Sequence, residues 1–386
     1  MILYISYATN NDVFNKLLDE GKIKSGNAVQ KFNDSIMRGL RQHEKLISLA
    51  VVGYGNCNAE RIEVKKNGIE YIVIKNRLGK LHKVWNILYL WQEGKKIIKT
   101  EQPRVILCDA IANSPNYISK LLARLFHIPV IGIVTDLPGT MGGGTNALKK
   151  CGRMRGFDAY ILLTEDMNIV VNPRNKPYIV VEGLCSPDIP AARQLSREKK
   201  IIMYTGGIRK KVNGIEYFIE GFLKANIPGC ELHFYGTGNL VAWIKKISQS
   251  HPQIKYMGNI SNDEIINRQR MADLLINPRP SNQEFCKYSF PSKTIEYMAS
   301  GVPVLMTRLP GVPKEYFDYV YVIEDESSDG VYKMLKKIYS MNEEKRYEFG
   351  MTAREFVLEK KSCFVQAKRI YDFSKTVKKV YEKENE

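Results

Sequence analysis

The residues with the plainest chemical potential lie late in the chain. There Lys293 and Glu296 stand three positions apart within Tyr288-Ser-Phe-Pro-Ser-Lys-Thr-Ile-Glu-Tyr-Met-Ala-Ser-Gly-Val-Pro-Val304. That spacing puts an ammonium and a carboxylate on one face of a helix. Pro291 pre-sets the backbone for a helix start, Ser292 supplies a cap, and Ile295, Met298 and Ala299 fall on one apolar face before Gly301 and Pro303 stop the helix. A helix start offers unpaired N–H donors and about half a positive charge, which suits a phosphate. Ser292, Lys293 and Thr294 then face a diphosphate, and Glu296, one turn in, takes the two hydroxyls of a ribose. The residues alone fit a plainer reading equally well: Glu296 complements the helix dipole, worth ~0.3–1 kcal/mol, and Lys293 is a solvated charge.

These groups need a scaffold that delivers helix starts to one edge, and the chain has its rhythm. Short β-branched runs at 2–7, 46–52, 71–74, 105–107, 130–134, 159–163 and 178–181 alternate with helical patterns, and the alternation resumes with runs at 201–204, 231–235, 254–257, 273–276, 302–306 and 319–323. This predicts an α/β fold of two parallel-sheet domains with helices on both faces, ligands collecting beyond the C-terminal strand ends. The expected boundaries are a first domain over 1–182, a linker or hinge over 183–200 carrying Pro187 and Pro190, a second domain over 201–363, and a final helix over 364–386.

Length and composition allow this: 386 residues, 44% hydrophobic and 26% charged, suffice for two globular domains. No run of 18 apolar residues occurs and the start has no leader pattern, so a soluble or peripheral protein is expected. The seven cysteines are odd in number and scattered, which points to a reduced, cytoplasmic setting. With 58 basic against 41 acidic residues the net charge is +17, calling for an anionic partner: a phosphorylated substrate, an anionic membrane surface or nucleic acid. Nucleic acid is the weakest of the three, since no zinc-finger spacing or aromatic RNA-binding signature is present. Val84 to Trp91, with two tryptophans and a tyrosine between basic stretches, reads as a buried crossover helix more than as a headgroup interface, its basic ends left to meet anionic lipid.

Several strand-end loops carry candidate polar groups. After the first strand a long polar connection runs through Asn10, Asn11 and Lys24-Ser25-Gly26-Asn27. After the fifth comes Thr135-Asp136-Leu-Pro-Gly-Thr-Met-Gly142-Gly143-Gly-Thr145, where Asp136 either caps the turn or works as a polar group. In the second half, Tyr204-Thr-Gly206-Gly207-Ile-Arg209-Lys-Lys211-Val-Asn-Gly-Ile215 brings glycines and a basic cluster between a strand and a helix, a setting for phosphate or for a solvated turn. Phe234-Tyr235-Gly236-Thr-Gly238-Asn239 is a strand followed by Gly-x-Gly, and Tyr256-Met-Gly-Asn259-Ile260-Ser261 follows the next strand.

Phe290-Pro-Ser-Lys-Thr-Ile-Glu-Tyr-Met-Ala-Ser-Gly-Val-Pro-Val304 resembles the nucleotide-binding segment of GT-B glycosyltransferases, in the large retaining family marked by two glutamates with seven residues between them. The resemblance implies two Rossmann-like domains facing across a cleft, the first for the acceptor and the second for the donor, with the last helix crossing back. Glu296 matches the second glutamate, which holds the donor ribose. The first falls at Tyr288, a departure for which Glu284 is the nearest carboxylate upstream. The Tyr204–Ile215 segment is similar to the family loop whose arginine and lysine neutralise the diphosphate. Flanking glycines align Gly207 and Asn213 with those bases, so Arg209 and Lys211 act from shifted positions. Tyr235, Gly236, Gly238, Asn259 and Ile260 match segments around the nucleotide. Where the family has a histidine before an acidic residue, this chain has Thr135 and Asp136, so Asp136 is the candidate beside the acceptor hydroxyl, with Asn10, Ser25, Gly26, Gly142 and Gly143 on the acceptor side.

The resemblance thus implies a retaining, hexosyl-type glycosyltransferase. Its nucleotide-sugar is a co-substrate and no cofactor is needed, since no Asp-x-Asp marks a metal-bridged diphosphate. The expected catalytic set is Asp136, Arg209 and Lys211. The expected acceptor is a glycan or a polyprenyl-diphosphate-linked saccharide for surface polysaccharide, met in the cytoplasm or at the inner membrane face. Two alternatives stay open: a nucleotide-sugar 2-epimerase on the same fold, and a non-catalytic nucleotide-sugar-binding protein.

Overall fold

The computed structural model describes residues 1–23, 27–51, 60–74, 79, 81–138, 151–192 and 199–385, and its residues cluster into two compact units. Ser25, Gly26, Gly142 and Gly143 lie outside the described residues.

The first unit is Met1–Leu184 with Lys287–Phe290 and Cys363–Glu386. Its chain runs β1 (Ile2–Ser6), α1 (Asn11–Asp19), α2 (Asn27–Arg41), β2 (Leu46–Ala50), β3 (Ile62–Lys66), β4 (Ile69–Val73), α3 (His82–Glu101), β5 (Val105–Asp109), α4 (Asn113–Phe126), β6 (Val130–Val134), a 3-10 turn (Cys151–Met154), β7 (Ala159–Leu162), α5 (Asp166–Val171) and β8 (Tyr178–Val180). The eight strands lie in the order β3-β4-β2-β1-β5-β6-β7-β8. β1, β2, β5 and β6 are buried at every position, as expected of strands covered on both faces, and all neighbouring pairs are parallel except β3 with β4. One face packs Leu90, Ile98, Ile118 and Leu122 of the helices against Leu3, Ile5 and Leu49 of the sheet; the other packs Ile36, Met37 and Leu40 against Ile2, Tyr4 and Leu46.

Three sequence expectations need correction. The edge strand β3 was not foreseen; it returns into β4 through Asn67 (φ 51°) and Gly68 (φ 75°), both left-handed as a type I′ hairpin turn requires. The polar connection after β1 contains α1, whose start Asn10 caps, its Oδ1 accepting from the N–H groups of Asp12 at 2.8 Å and Val13 at 3.4 Å. The Val84–Trp91 helix is buried only on one side: Leu90, Ile97 and Ile98 are enclosed, while Leu81, Val84 and Leu88 are exposed. Among the described residues no helix is long and apolar enough to cross a membrane.

Asp34 on α2 is buried, accepting hydrogen bonds from Asn11 Nδ2 at 3.0 Å and the Tyr71 hydroxyl at 3.5 Å. Burial raises its pKa from 3.8 to about 6, against the pull of nearby Arg38. The folded state therefore holds this proton more tightly than the unfolded chain. The stability it contributes is complete below 3.8 and lost as pH rises through about 6. Asp34→Asn, which keeps an acceptor without the charge, is expected to match wild type near pH 4 and to exceed it by about 1–3 kcal/mol at pH 7.5. Thermal melts across pH check this, and a difference that stays constant with pH refutes it.

The second unit, Cys185–Cys286 with Pro291–Ser362, runs β9 (Lys200–Thr205), α6 (Ile215–Ala225), β10 (Cys230–Tyr235), α7 (Val241–Ser250), β11 (Ile254–Gly258), α8 (Asn262–Gln269), β12 (Leu274–Asn277), a 3-10 turn (Glu284–Tyr288) whose last two residues belong to the first unit, α9 (Ser292–Ser300), β13 (Val304–Thr307), a 3-10 turn (Lys314–Asp318), β14 (Tyr321–Ile323), α10 (Ser328–Ser340) and α11 (Glu343–Lys361). All six strands are parallel, in the order β11-β10-β9-β12-β13-β14. Strand order therefore reverses between β9 and β12, and the crevice beyond their C-terminal ends is where such sheets bind ligands. The first sheet reverses likewise between β1 and β5. The last helix, α12 (Cys363–Asn385), belongs to the first unit and packs its Ala367, Ile370 and Val377 with Ile36 and Leu40 of α2. A β-carbon on Gly39 of α2 would stand 2.4 Å from that of Ala367, so the two helices touch backbone to side chain.

Candidate functional site

The loops after β9, β10 and β11 are tied into one ridge at the switch point of the second sheet. The Gly206 N–H donates to the Tyr235 carbonyl at 2.8 Å, Ile208 N–H to the Thr237 carbonyl at 2.8 Å, and Gly236 N–H to the Gly258 carbonyl at 2.8 Å. The Tyr256 hydroxyl adds a bond to the Gly236 carbonyl at 2.9 Å. Gly236 has φ 131°, and a β-carbon there would stand 1.8 Å from the Gly206 oxygen, so only glycine lets these backbones meet. Asn259 and Ile260 follow directly on Gly258, the former exposed and the latter half-buried.

Helix α9 delivers its charged pair to this ridge. Lys293 Nζ donates to the Thr205 carbonyl at 2.5 Å, and a β-carbon on Gly206 would stand 2.4 Å from that nitrogen. Glu296, half-buried, accepts from Gln269 Nε2 at 2.9 Å, and the same amide reaches Thr205 Oγ1 at 3.2 Å. Tyr297, wholly enclosed, holds Thr205 from below: its hydroxyl accepts the Thr205 N–H at 2.9 Å, and burial pushes its pKa well up, keeping it a neutral donor and acceptor. Lys293, Glu296, Gly206 and Gly207 are thus gathered around Thr205 at the end of β9.

Arg209 is exposed, its N–H bonded to Asn213 Oδ1 at 3.1 Å. A β-carbon on Gly207 would stand 3.7 Å from Arg209 Nε, and the Tyr204 phenol, pushed up by burial, is pulled back by both Arg279 and Arg209. Lys211 is exposed and left-handed (φ 59°), with its backbone engaged by Glu216 and Gln283 instead of by the Thr205 group.

Some expected residues take other parts. Pro291 and not Ser292 is the residue before the first turn of α9, and no side chain caps that turn; Ser292 is exposed at its start. The first N–H groups of a helix lack partners within it, so an uncapped start suits an anion all the better. Thr294 turns inward, wholly buried, accepting from Asn277 Nδ2 at 3.3 Å, so its hydroxyl is spent on the core. Tyr235 is buried and offers its carbonyl to the ridge, not its ring. Gly238 lies next along that loop, where a β-carbon would stand 2.0 Å from the Ile208 oxygen.

Sequence reasoning missed Gln269 and Arg279. Gln269 is fully buried yet sits between Arg268 and Arg270, which disguise it as surface. Arg279, over the Phe285 ring at 5.5 Å, follows Asn277-Pro278 at the end of the central strand β12, and that position was the available signal.

In the first unit, Asp136 is an exposed residue just past β6 whose Oδ1 accepts from the Leu137 N–H at 2.8 Å, the turn-capping arrangement; the Thr135 hydroxyl is buried and finds no partner among the described residues. Tyr288, standing where a glutamate was expected, belongs to this unit and packs against its apolar core, while Glu284 is exposed.

Comparison with known proteins bears on the fold and on part of the chain. No curated protein sequence matches the chain. Sucrose-phosphate synthase from Thermosynechococcus elongatus is similar in structure with a TM-score of 0.67 at 12% identity, over 98% of this chain and 99% of that one. HepE from Anabaena, solved in complex with UDP and glucose, gives a TM-score of 0.67 at 10% identity over 97% and 100%. WaaG, a glycosyltransferase involved in lipopolysaccharide biosynthesis, gives 0.60 at 12% over 96% and 99%. The fold is therefore GT-B, and residues 199–340, which contain the whole Thr205 ridge and α9, match the family described as Glycosyl transferases group 1.

Proposed function

We propose that the chain is a glycosyltransferase that takes its sugar from a nucleotide-sugar bound on the second unit. The observation that carries this reading is the meeting of Lys293 and Glu296, one turn apart on α9, with the glycine ridge around Thr205. A diphosphate resting on the uncapped start of α9 meets Lys293 and the backbone N–H groups of the ridge, with Arg209 and Arg279 nearby and Lys211 further along the loop. The ribose hydroxyls fall to Glu296, whose carboxylate Gln269 orients from behind. As the bond from the anomeric carbon to the diphosphate breaks, its electron pair passes to the phosphate oxygens, and these fixed cations and amides stabilise the charge that develops. The cations present serve that role without a metal, and the retained configuration follows the family resemblance, the acceptor hydroxyl entering from the leaving-group face.

The acceptor in this reading is a lipid-linked saccharide of surface polysaccharide synthesis, reached from the cytoplasmic face, with Asp136 beside its hydroxyl. The net charge of +17 supports an anionic surface as partner, as do exposed Leu81, Val84 and Leu88 at the start of α3. Co-sedimentation with anionic vesicles that weakens with salt is the expected result; equal recovery with neutral vesicles counts against it.

A screen of UDP- and GDP-sugars tests the reaction by release of nucleoside diphosphate and transfer of label to acceptor. Transfer supports the proposal. Epimerised donor in the absence of acceptor identifies an epimerase instead. Donor binding without turnover over an acceptor panel makes this a binding protein, with the apolar seat of Tyr288 as its structural ground.

A further inference from the structure

A cavity of about 170 Å³ opens in the first unit beyond the end of β5, beside the point where that sheet reverses its strand order. Ile111 and Met154 supply its apolar wall, Asn116, Lys120 and Arg153 its polar one, and Tyr117 its rim. It is smaller than the ~300–1,000 Å³ of a pocket for a whole drug-sized ligand, so it suits a headgroup.

Its two cations are held by neutral groups, Lys120 Nζ also standing 5.1 Å from the centre of the Phe157 ring. Lys120 Nζ is bonded to the carbonyls of Arg153 at 3.0 Å and Arg155 at 3.1 Å, which orient the ammonium without neutralising it. Arg153 Nη1 bonds Asn113 Oδ1 at 2.8 Å, again a neutral partner. Among the described residues neither cation has a carboxylate within ion-pairing distance. Asp109, the last residue of β5, is buried and accepts from the Ile111 N–H at 3.0 Å. Desolvation lowers the pKa of Lys120, so an anion placed here offsets the cost of burying its ammonium. The cavity also abuts the start of α4, where no side chain caps the first turn.

An apolar track leads away from the cavity. Tyr117, Leu121 and Leu125 recur every fourth residue along one face of α4 and are 57%, 38% and 53% exposed. A cationic cup at one end of an exposed apolar stripe complements a ligand with an anionic head and a hydrocarbon tail.

We propose that this cavity and stripe bind the diphosphate head and prenyl chain of the acceptor, Lys120 and Arg153 holding the phosphates and Tyr117, Leu121 and Leu125 the chain. The word acceptor rests on the transfer reading above; the binding itself does not. The full chain, with UDP and GDP present in excess, is titrated with farnesyl diphosphate and with inorganic pyrophosphate. Both are expected to bind despite the nucleotides, farnesyl diphosphate about tenfold or more tightly through its buried chain. Arg153→Gln is expected to weaken both about five- to tenfold, and Leu121→Asp to reduce farnesyl diphosphate to the level of pyrophosphate. Both side chains are exposed, and an unchanged melting temperature confirms folding. Displacement by nucleotide, equal affinity for the two ligands, or indifference to Arg153→Gln overturns the proposal. Prenyl diphosphate binding in a protein that takes up no nucleotide would sink the transfer reading alone, and nucleotide binding with no uptake of either probe would sink this one alone.

Discussion

Glu296→Ala is expected to weaken nucleotide binding by about 1.5–3 kcal/mol, a rise in Kd of roughly ten- to a hundredfold. The lost group is a half-buried carboxylate held in place by Gln269, and hydrogen bonds from ribose hydroxyls to such a charged acceptor are worth more than neutral ones. Glu296→Gln retains an acceptor without the charge and falls between. Stability changes little by comparison, because Gln269 Nε2 keeps its bond to Thr205 Oγ1. Titration with UDP and GDP, beside melting curves of each variant, separates the two effects. An alanine variant that binds nucleotide as tightly as wild type removes Glu296 from the site and with it the strongest support for the transfer reading.

Gly236→Ala is expected to damage folding and binding together. The added β-carbon would meet the Gly206 oxygen at 1.8 Å on a backbone with φ 131°, and backbone, unlike a long side chain, has no rotamer to escape into. Overpacking and the forbidden dihedral sum to about 2–5 kcal/mol, or very roughly 5–15 °C in melting temperature for a unit of this size. The relief available is to part the loops after β9 and β10, which spreads the amides that a diphosphate would use. Nucleotide affinity is therefore expected to fall along with stability. A variant that melts with wild type and binds nucleotide normally would show that the ridge does not depend on this contact.

How much of this was legible differs by kind of signal. The central strands could be read because burial on both faces turns them into unbroken runs such as Ile2–Ser6 and Val130–Val134, bounded by turns. β3 escaped because Ile62–Lys66 alternates half-buried with exposed residues at the sheet edge, and its strongest mark, Asn67-Gly68, lies outside the strand itself. α1 escaped because its polar start at Asn10 and Asn11 looks like loop until the cap is seen. Around the site, spacing within one helix was informative: Lys293 and Glu296 do share a face toward the ridge. Inside-or-outside was not. Thr294 next door points into the core, since three consecutive helical residues sweep most of a turn and only packing decides which way the middle one faces. Gln269, the last residue of α8, and Arg279, just past β12, reach the site from different elements, and that kind of convergence leaves no local pattern to read.

The placement of α12 carries a consequence for how the molecule is made. The first unit is built from separated segments, its helix pair α2 and α12 lying some 320 residues apart in sequence, while the second unit is nearly continuous between them. As the polypeptide leaves the ribosome, residues 1–184 emerge with the seat of α12 against Ile36 and Leu40 still uncovered, and it stays uncovered until residues 363–385 have been made. The second unit can finish first. The first sheet must wait for residues 363–385 to close its apolar flank, so the chain is most exposed to chaperones and proteases during that interval, and a chain cut after residue 362 would cost the first unit its closing helix while leaving the second unit whole.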